Sequence, residues 1–227
     1  MIFNLVVLVS LLLVFHQAAC ESEPVTCGSV VKIIHKDTGH HLHSHPIAWG
    51  SGSGQQSVTS TGSIDDQGSL WIVKDATTSK IACEIGAPIL CGSKLRLEHA
   101  STGKNLHSHL YRAALTGNQE VSGFGDGGNG DTGDNWKIVC DNSGEKYWRR
   151  TNDIHFEHVD TKKYLFTAGK AKFTPQNCGQ GCPIMGQTEV SAAGMKSMST
   201  KFRTGAGLYF PPPAAKNSKK DEDDDEL

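Results

Sequence analysis

The chain has 227 residues, of which 37% are hydrophobic and 20% charged, and this balance supports a packed core and excludes a wholly disordered chain. The length allows one domain of moderate size or two small ones. The formal net charge is −2 and the Lys and Arg residues are scattered, so the composition favours neither nucleic acid nor an anionic membrane as a partner.

The N-terminal segment has the order of a cleaved secretory signal. Leu5 to Phe15 is an apolar run broken by Ser10, too short to span a bilayer comfortably, and the small residues Ala18 to Cys20 precede a polar stretch. No Lys or Arg precedes the run, so the free amino group supplies the positive end; the alternative is an uncleaved anchor. We assign residues 1–20 to the signal, and no second segment approaches the length of a membrane span.

Three stretches align without gaps and share a histidine, a threonine and a leucine. They are Val30–His45 (VVKIIHKDTGHHLHSH), Lys94–His109 (KLRLEHASTGKNLHSH) and Asp153–Ala168 (DIHFEHVDTKKYLFTA). The shared positions are His35, His99 and His158, then Thr38, Thr102 and Thr161, then Leu42, Leu106 and Leu165. A common order of residues at near-constant spacing indicates internal repeats.

Each copy continues with a polar-polar-Val triplet and then an aromatic residue that opens a short strand. The triplets are Gln56–Val58, Gln119–Val121 and Thr188–Val190, and the aromatic residues are Trp71, Trp136 and Phe202. The three copies therefore cover about residues 24–82, 88–142 and 146–204.

The copies predict β structure. Apolar and polar residues alternate in Lys94–Leu97, as in a half-buried strand, and Asp37–Gly39 and Ser101–Gly103 are turn signals. A lone hairpin is barely stable in water, so three units of about four strands each must cover one another's apolar faces. Three units fit a fold with three-fold pseudo-symmetry better than a propeller or a solenoid. We predict an all-β fold, a β-trefoil over residues 24–204.

The repeat constrains the cysteine pairing. Cleavage after residue 20 leaves Cys27, Cys83, Cys91, Cys140, Cys178 and Cys182, and an even number in an oxidising compartment suggests disulfides. Cys27 and Cys91 precede the first strand of copies one and two, while Cys83 and Cys140 follow their last strands. The symmetric hypothesis pairs Cys27 with Cys83 and Cys91 with Cys140, which leaves Cys178 and Cys182 to close their own loop.

The C-terminal region, residues 205–227, predicts a linker and an acidic tail. Three prolines, Pro211–Pro213, favour extended polyproline II geometry, and the polar residues after them predict disorder. The last four residues, Asp224, Asp225, Glu226 and Leu227, are similar to an ER retrieval signal, although Asp224 stands where Lys or His is usual. We expect the protein in the ER lumen, with some secretion because of that departure; the alternative is a solvated acidic tail.

The order His, Thr-Gly, Leu-His-Ser-His, Gln-x-Val and Trp resembles the MIR motif, which is named for protein mannosyltransferases, inositol trisphosphate receptors and ryanodine receptors. Three such copies between a secretory signal and a retrieval-like tail resemble the stromal cell-derived factor 2 family over about residues 24–204. The most specific parts are Leu42–His45 and Leu106–His109, and copy three departs from them at Leu165–Ala168.

This resemblance implies a β-trefoil of three MIR repeats and a non-catalytic place in ER quality control and the unfolded protein response. The implied partners are J-domain co-chaperones, the lumenal chaperone complex and misfolded proteins. In O-mannosyltransferases the MIR module accompanies a membrane region of many spans, which this sequence lacks, so transferase chemistry is not implied. The alternative is a lectin-like module that binds mannose-type glycans or O-mannosylation substrates.

The histidine pairs are the first chemical candidates. His43 and His45, like His107 and His109, stand two residues apart on a strand and face the same side, as ligands of one ion would. Zinc sites usually recruit Cys or carboxylate at defined spacings, and these pairs fall in separate copies, so we expect no metal here. Backbone hydrogen bonds or a surface position is the structural alternative.

The sequence also lacks complete motifs for a calcium site, a redox-active cysteine pair or a nucleophilic serine. Asp126–Asp134 resembles a calcium loop, but Gly128 occupies the third position and no Glu stands twelfth. Cys178–Cys182 has three intervening residues rather than the two of a thioredoxin-like pair, and no G-x-S-x-G elbow occurs. We therefore expect no catalytic residue and no cofactor.

A partner or glycan surface remains as the functional site. The three-fold arrangement would bring the Leu-His-Ser-His hairpins near one another, so we predict a binding surface at His43, His45, His107, His109 and Tyr111. Trp71 and Trp136 are expected in the core from their repeat positions. The sequence leaves open whether Trp49, Tyr111 and Trp148 are exposed.

Overall fold

The computed structural model describes residues 22–77, 79 and 82–213, which are almost entirely β. The predicted signal (1–20) and the retrieval-like end (Asp224–Leu227) lie outside the described residues. The strands are β1 (Val30–His35), β2 (His41–Ala48), β3 (Gln56–Thr61), β4 (Trp71–Asp75), β5 (Lys94–His99), β6 (Asn105–Arg112), β7 (Gln119–Phe124), β8 (Trp136–Cys140), β9 (Ile154–His158), β10 (Tyr164–Lys172), β11 (Thr188–Ala193) and β12 (Phe202–Leu208).

Short helical segments join some of the strands. Three single 3-10 turns, Gln67–Ser69, Thr132–Asp134 and Met198–Thr200, precede β4, β8 and β12, and one helical turn, α1 (Pro175–Cys178), lies in the loop after β10. Within the described ranges, no helix has the length and apolar character needed to cross a membrane.

Six strands close into a barrel. β1 pairs with β4 and β12, β5 pairs with β4 and β8, and β9 pairs with β8 and β12, all antiparallel. Every strand of this ring has a partner on both sides, so the barrel presents no edge to a foreign strand.

The other six strands form three hairpins, β2–β3, β6–β7 and β10–β11, one from each copy. β3, β7 and β11 each pair with the other two, which closes a triangle around the pseudo-three-fold axis. A closed barrel with a cap of three hairpins is a β-trefoil, and the predicted fold class is confirmed.

A second ring of backbone hydrogen bonds closes the barrel at the segments that begin each copy. Val25 N donates to Trp148 O (2.7 Å), Trp148 N to Ile89 O (2.8 Å), and Ile89 N to Val25 O (2.9 Å). All three side chains are buried. Trp148, whose position the sequence left open, therefore belongs to the core.

The alternation in the strands produces the core. Three positions of β1, β5 and β9 point inward and are buried: Val31, Ile33 and His35; Leu95, Leu97 and His99; Ile154, Phe156 and His158. Leu42, Leu106 and Leu165 are also fully buried at the base of the three hairpins. Burying each aliphatic or aromatic side chain of this kind contributes about 1.5–3 kcal/mol.

The boundary between copies one and two, here called the 1/2 seam, is crossed by a chain of hydrogen bonds. Gln56 Nε2 donates to Thr102 Oγ1 (2.9 Å), and His99 Nε2 donates to the carbonyl oxygen of Gly68 (2.9 Å). A carbonyl only accepts, so Nε2 carries the proton of this ring, and Nδ1 accepts from the Thr102 hydroxyl (2.8 Å). The ring also lies 5.0 Å from that of Trp71.

The 2/3 seam, between copies two and three, repeats this relay. Gln119 donates to Thr161 Oγ1 (2.9 Å), His158 Nδ1 pairs with the same hydroxyl (2.9 Å), and His158 Nε2 donates to Gly133 O (2.9 Å). The His158 ring lies 5.0 Å from Trp136. Each shared histidine thus packs against an aromatic residue of the preceding copy.

The 3/1 seam keeps the histidine and changes its surroundings. His35 Nδ1 pairs with Thr38 Oγ1 (2.9 Å), and its ring packs at 5.2 Å against Phe202, which replaces the tryptophan of the other copies. Thr188 stands where the glutamine would be and its hydroxyl pairs with His40 Nδ1 (3.3 Å). The histidine–threonine and histidine–aromatic contacts are therefore kept at this seam, while the hydrogen bonds of the glutamine and of the histidine Nε2 are lost within the described part of the chain.

Three disulfides join Cys27 to Cys83, Cys91 to Cys140 and Cys178 to Cys182, the same pairs that the repeat suggests. The first two tie the start of a copy to its end. The third closes part of the long loop of copy three, where Cys182, Phe173 and Ile184 pack against Trp49 in a second apolar cluster. Trp49, which the sequence also left open, is therefore buried, and its Nε1 donates to Val121 O (3.0 Å).

The last strand extends past the predicted start of the linker at residue 205. β12 runs to Leu208 because Gly207 and Leu208 still pair with Val31 and Val30 of β1. Phe210 then stays against copy one, since its carbonyl oxygen accepts from Thr26 Oγ1 (2.7 Å). The linker therefore begins beyond the residues that the sequence pattern indicated.

We expect Trp136→Phe to lower the free energy of unfolding by about 1–3 kcal/mol, because it removes ring volume and the Nε1 hydrogen bond to Leu106 O (2.8 Å). Trp148→Phe is the matched control, since Trp148 is equally buried and its Nε1 has no hydrogen-bond partner among the described residues. Urea denaturation should show the smaller loss for Trp148→Phe. Equal losses would contradict a contribution of the Trp136 hydrogen bond.

The seam histidines predict a fall in stability with acid. Burial lowers the pKa of His35, His99 and His158 below 6.5. The unfolded chain then binds more protons than the folded one as the pH drops below about 6.5, so the free energy of unfolding falls, by up to about 1.4 kcal/mol per pH unit for each histidine. Urea denaturation at pH 7.5, 6 and 5 should show this slope, and His158→Gln should flatten it. Stability that stays constant over this window would contradict neutral buried rings.

Candidate functional site

The Leu-His-Ser-His motifs lie on β2 and β6, the first strands of two cap hairpins. In both strands the register with the partner strand shifts after the serine, between Ser44 and Ala48 and between Ser108 and Arg112. The residues between these positions bulge away from the hairpin. The bulge 109–111, with the sequence His-Leu-Tyr, is called the copy-two bulge below.

His43 and His45 form a neutral pair at the 1/2 seam. His43 Nε2 and His45 Nδ1 lie 2.9 Å apart, and His43 Nδ1 lies 3.6 Å from Asp66. Burial, together with the nearby His45 and His99, lowers the pKa of His43 to about 4, although Asp66 acts in the opposite direction. The His43 ring is therefore uncharged near neutral pH, and the pair is held by hydrogen bonding between rings.

His107 and His109 diverge at the equivalent place in copy two. His107 Nδ1 lies 2.9 Å from Asp134 Oδ1, which is fully buried, and 3.6 Å from Asp131. His109 Nε2 lies 2.9 Å from Glu120 Oε1. Each ring thus faces a carboxylate of its own copy.

The Glu120 carboxylate braces the copy-two bulge from below. Burial raises its pKa, but hydrogen bonds from His109 and Ser53 outweigh that effect, so the net pKa is lowered and the group is ionised. Glu120 also lies against Gly52, whose φ of +65° favours glycine in this turn of copy one, and a side chain there would displace the carboxylate. The bulge is therefore anchored to two copies at once.

His107, Asp131 and Asp134 are the described residues whose ligand atoms come close enough for a cation, all within 4.8 Å of one another. Their contacts are explained by the 3-10 turn that they build. Asp131 Oδ1 accepts from Gly133 N (2.8 Å), and Asp134 Oδ2 accepts from Asp131 N (2.9 Å), a reciprocal capping box. The calcium-like loop of the sequence thus ends in a capped turn, with the Asp134 carboxylate directed at His107.

The predicted site residues divide into two groups. His43 and His45 lie at the 1/2 seam beside His99, and His107 and His109 lie at the 2/3 seam beside His158. Tyr111 joins the second group, with its ring 5.0 Å from that of His109. Copy three carries Phe166 and Ala168 at these positions and contributes no such pair.

The sequence reasoning missed the acidic residues of the site. Glu120 and Glu189 occupy the second position of the polar-polar-Val triplets, and both are almost fully buried. Glu189 accepts from Thr116 N (3.1 Å) in the turn of the neighbouring copy, as Glu120 does from Ser53. Because copy one has Ser57 at this position, the glutamate is not common to all three copies. Its occurrence in two copies could still have indicated a buried acidic position.

Comparison with known proteins places these features in a family. No protein-family model matches the chain. Stromal cell-derived factor 2 of Bos taurus is 42% identical over 185 residues, which are 82% of this chain and 82% of that protein.

Two solved structures share the architecture. The crystal structure of the SDF2-like protein from Arabidopsis thaliana is 37% identical, with a TM-score of 0.76 over 84% of this chain and 99% of that chain. The S. cerevisiae protein O-mannosyltransferase Pmt1–Pmt2 complex bound to the sugar donor is 22% identical, with a TM-score of 0.67 over 87% of this chain and 29% of that chain, and supports the fold alone. From the identity and coverage of the curated relative, the chain belongs to the stromal cell-derived factor 2 family.

Proposed function

We propose that this protein is a non-catalytic binding factor of ER quality control, which associates with a J-domain co-chaperone, the lumenal chaperone complex and unfolded proteins. Family membership, the secretory signal and the retrieval-like tail support this assignment. They also support residence in the ER lumen, with partial secretion where Asp224 weakens retrieval.

The copy-two bulge is the observation that carries a binding role. Leu110 is 85% exposed and Tyr111 55% exposed, next to each other on a segment braced by Glu120 through His109. Apolar side chains held out by a rigid support are ready to be buried by a partner with little loss of conformational entropy. The histidines and carboxylates beside them are paired with one another, as structural groups are.

We expect Leu110→Ser with Tyr111→Ser to reduce capture of the J-domain co-chaperone by at least about fivefold, because two exposed apolar anchors are removed. The tagged full chain, with its disulfides intact, would be incubated with ER lysate and the captured co-chaperone quantified. Ile64→Ser is the matched control, since Ile64 is 67% exposed on a loop of copy one. Its capture should equal that of the unmodified chain.

Two results would contradict this proposal. One is the absence of any chaperone above background in the capture by the unmodified chain. The other is an equal reduction by Ile64→Ser, which would show that exposed apolar surface in general, rather than the copy-two bulge, holds the partner.

The alternative is a lectin-like module for mannose-type glycans, and the exposed Tyr111 ring beside polar groups favours this same surface. Aromatic rings and carboxylates are common in sugar sites, where the ring packs on an apolar sugar face. A glycan array with the purified chain separates the two functions: selective binding of mannose-type glycans that Tyr111→Ser abolishes would favour the lectin.

A further inference from the structure

We propose that the groove at the 2/3 seam binds an extended polypeptide segment that carries Lys or Arg next to an aliphatic or aromatic residue. This inference rests on the proposed binding function and names the chemistry of its partner. The groove, of about 540 Å³, lies between the copy-two bulge and the turn 159–161 of copy three, with the 3-10 turn Thr132–Asp134 at its base.

Exposed carboxylates give the groove its charge. The Asp131 side chain is 59% exposed, although one of its oxygens caps the 3-10 turn. Asp160 is also exposed and accepts from the Thr132 hydroxyl (2.8 Å). None of the described residues that line the groove is Lys or Arg, so these two charges are not compensated within its lining.

The histidines of the groove do not cancel this charge. His158 has its pKa lowered by burial and donates from Nε2 to a carbonyl, so its ring is neutral. His107 Nδ1 lies 2.9 Å from the buried Asp134 and 3.6 Å from Asp131. His109 Nε2 lies 2.9 Å from the buried Glu120, so each ring has a buried carboxylate as its nearest partner. The surface that a ligand meets therefore carries the charge of Asp131 and Asp160.

Apolar side chains stand beside the carboxylates. Leu110 forms one wall of the groove and is largely exposed, while Phe124 is half-buried and packs with its ring 4.7 Å from that of His107. Beyond Phe124 a second groove of about 570 Å³ shares Gln55, Phe124 and Asp131 with the first.

The second groove also holds Lys104 and Asp126, with Lys104 donating to the carbonyl oxygen of Gly125, so the negative charge is concentrated in the first groove. Two adjoining grooves suit an extended chain better than a compact ligand.

The other seams lack this combination, so the feature is not a by-product of the repeat. At the 1/2 seam Pro46, Thr61 and Ser101 stand where the 2/3 seam has Leu110, Phe124 and Asp160. Asp66 remains there, capping its 3-10 turn through Gly68 N (2.8 Å) as Asp131 does. The hairpin of copy three instead brings Lys170 and Lys172 to the groove beside it.

The test measures fluorescence anisotropy of a short fluorescein-labelled peptide of alternating leucine and lysine, titrated with the full chain. Two comparison peptides replace lysine by glutamate or leucine by serine. We expect the leucine–lysine peptide to bind best, and its affinity to fall with added salt because exposed charges are screened. Equal binding of the lysine and glutamate peptides would overturn the proposal.

The protein variants locate the site. The double variant Asp131→Asn with Asp160→Asn keeps the acceptor oxygens of the turn and removes both charges. It should lower the affinity for the leucine–lysine peptide by about fivefold, the order expected for two exposed charge pairs. Asp66→Asn, which makes the matching change at the 1/2 seam, should leave the affinity within about twofold. Leu110→Ser removes the apolar wall of the groove and should also lower the affinity for the peptide. Circular dichroism checks that each variant is folded.

Two further outcomes separate this inference from the proposed function. If the chain captures the co-chaperone but binds the lysine and glutamate peptides equally, the groove proposal is wrong and the proposed function is still supported. Peptide binding that depends on Asp131 and Asp160, without capture of a co-chaperone, would support the groove and contradict the proposed function. Displacement of the peptide by a mannose oligosaccharide would assign the groove to glycans and overturn the polypeptide proposal.

Discussion

A relay from glutamine through threonine and histidine to a backbone carbonyl joins copy one to copy two and copy two to copy three, and the fold depends on these two seams. At two seams the histidine is buried, neutral and fully hydrogen-bonded, and its ring covers the tryptophan of the preceding copy. A buried polar group without partners is costly, so His99 and His158 require the neighbouring copy in place. The copies are thus mutually dependent, which explains why a single one would not be stable alone.

This dependence also explains the role of His99 and His158. The sequence raises metal ligation as an alternative, because two pairs of rings recur, but it favours a structural role for them. In the apolar 1/2 and 2/3 seams, one nitrogen of the imidazole ring donates a hydrogen bond and the other accepts one. Because the accepting nitrogen is already in a hydrogen bond, protonation of the ring is disfavoured. His43 and His45 extend the same principle by satisfying each other. Burial lowers the pKa of His43, His99 and His158, so these rings are uncharged near neutral pH.

Departures from symmetry are where individual copies acquire distinct surfaces. Copy three loses the tryptophan, the glutamine and the histidine pair, and its long loop instead covers Trp49 of copy one. At the 2/3 seam the complete relay is surrounded by Leu110 and Tyr111 from copy two and Asp160 from copy three. Because the relay holds the backbone at the 2/3 seam, side chains there can vary without loss of the fold, and a binding surface can arise on a rigid support.

The sequence by itself determined the repeat, the strands and the β-trefoil. The alternation of apolar and polar residues, the turn signals and the repeated aromatic positions are local patterns that can be recognised within each copy. It also suggested the cysteine pairs and the buried Trp71 and Trp136. It did not determine that Trp49 and Trp148 are buried or that β12 continues to Leu208, since these depend on partners from other copies. It also did not determine that Glu120 supports the copy-two bulge, because that contact depends on how β6 and β7 pair. The tertiary structure decided which side chains share a seam, because closure of the barrel brings together residues from different copies that no spacing along the chain connects.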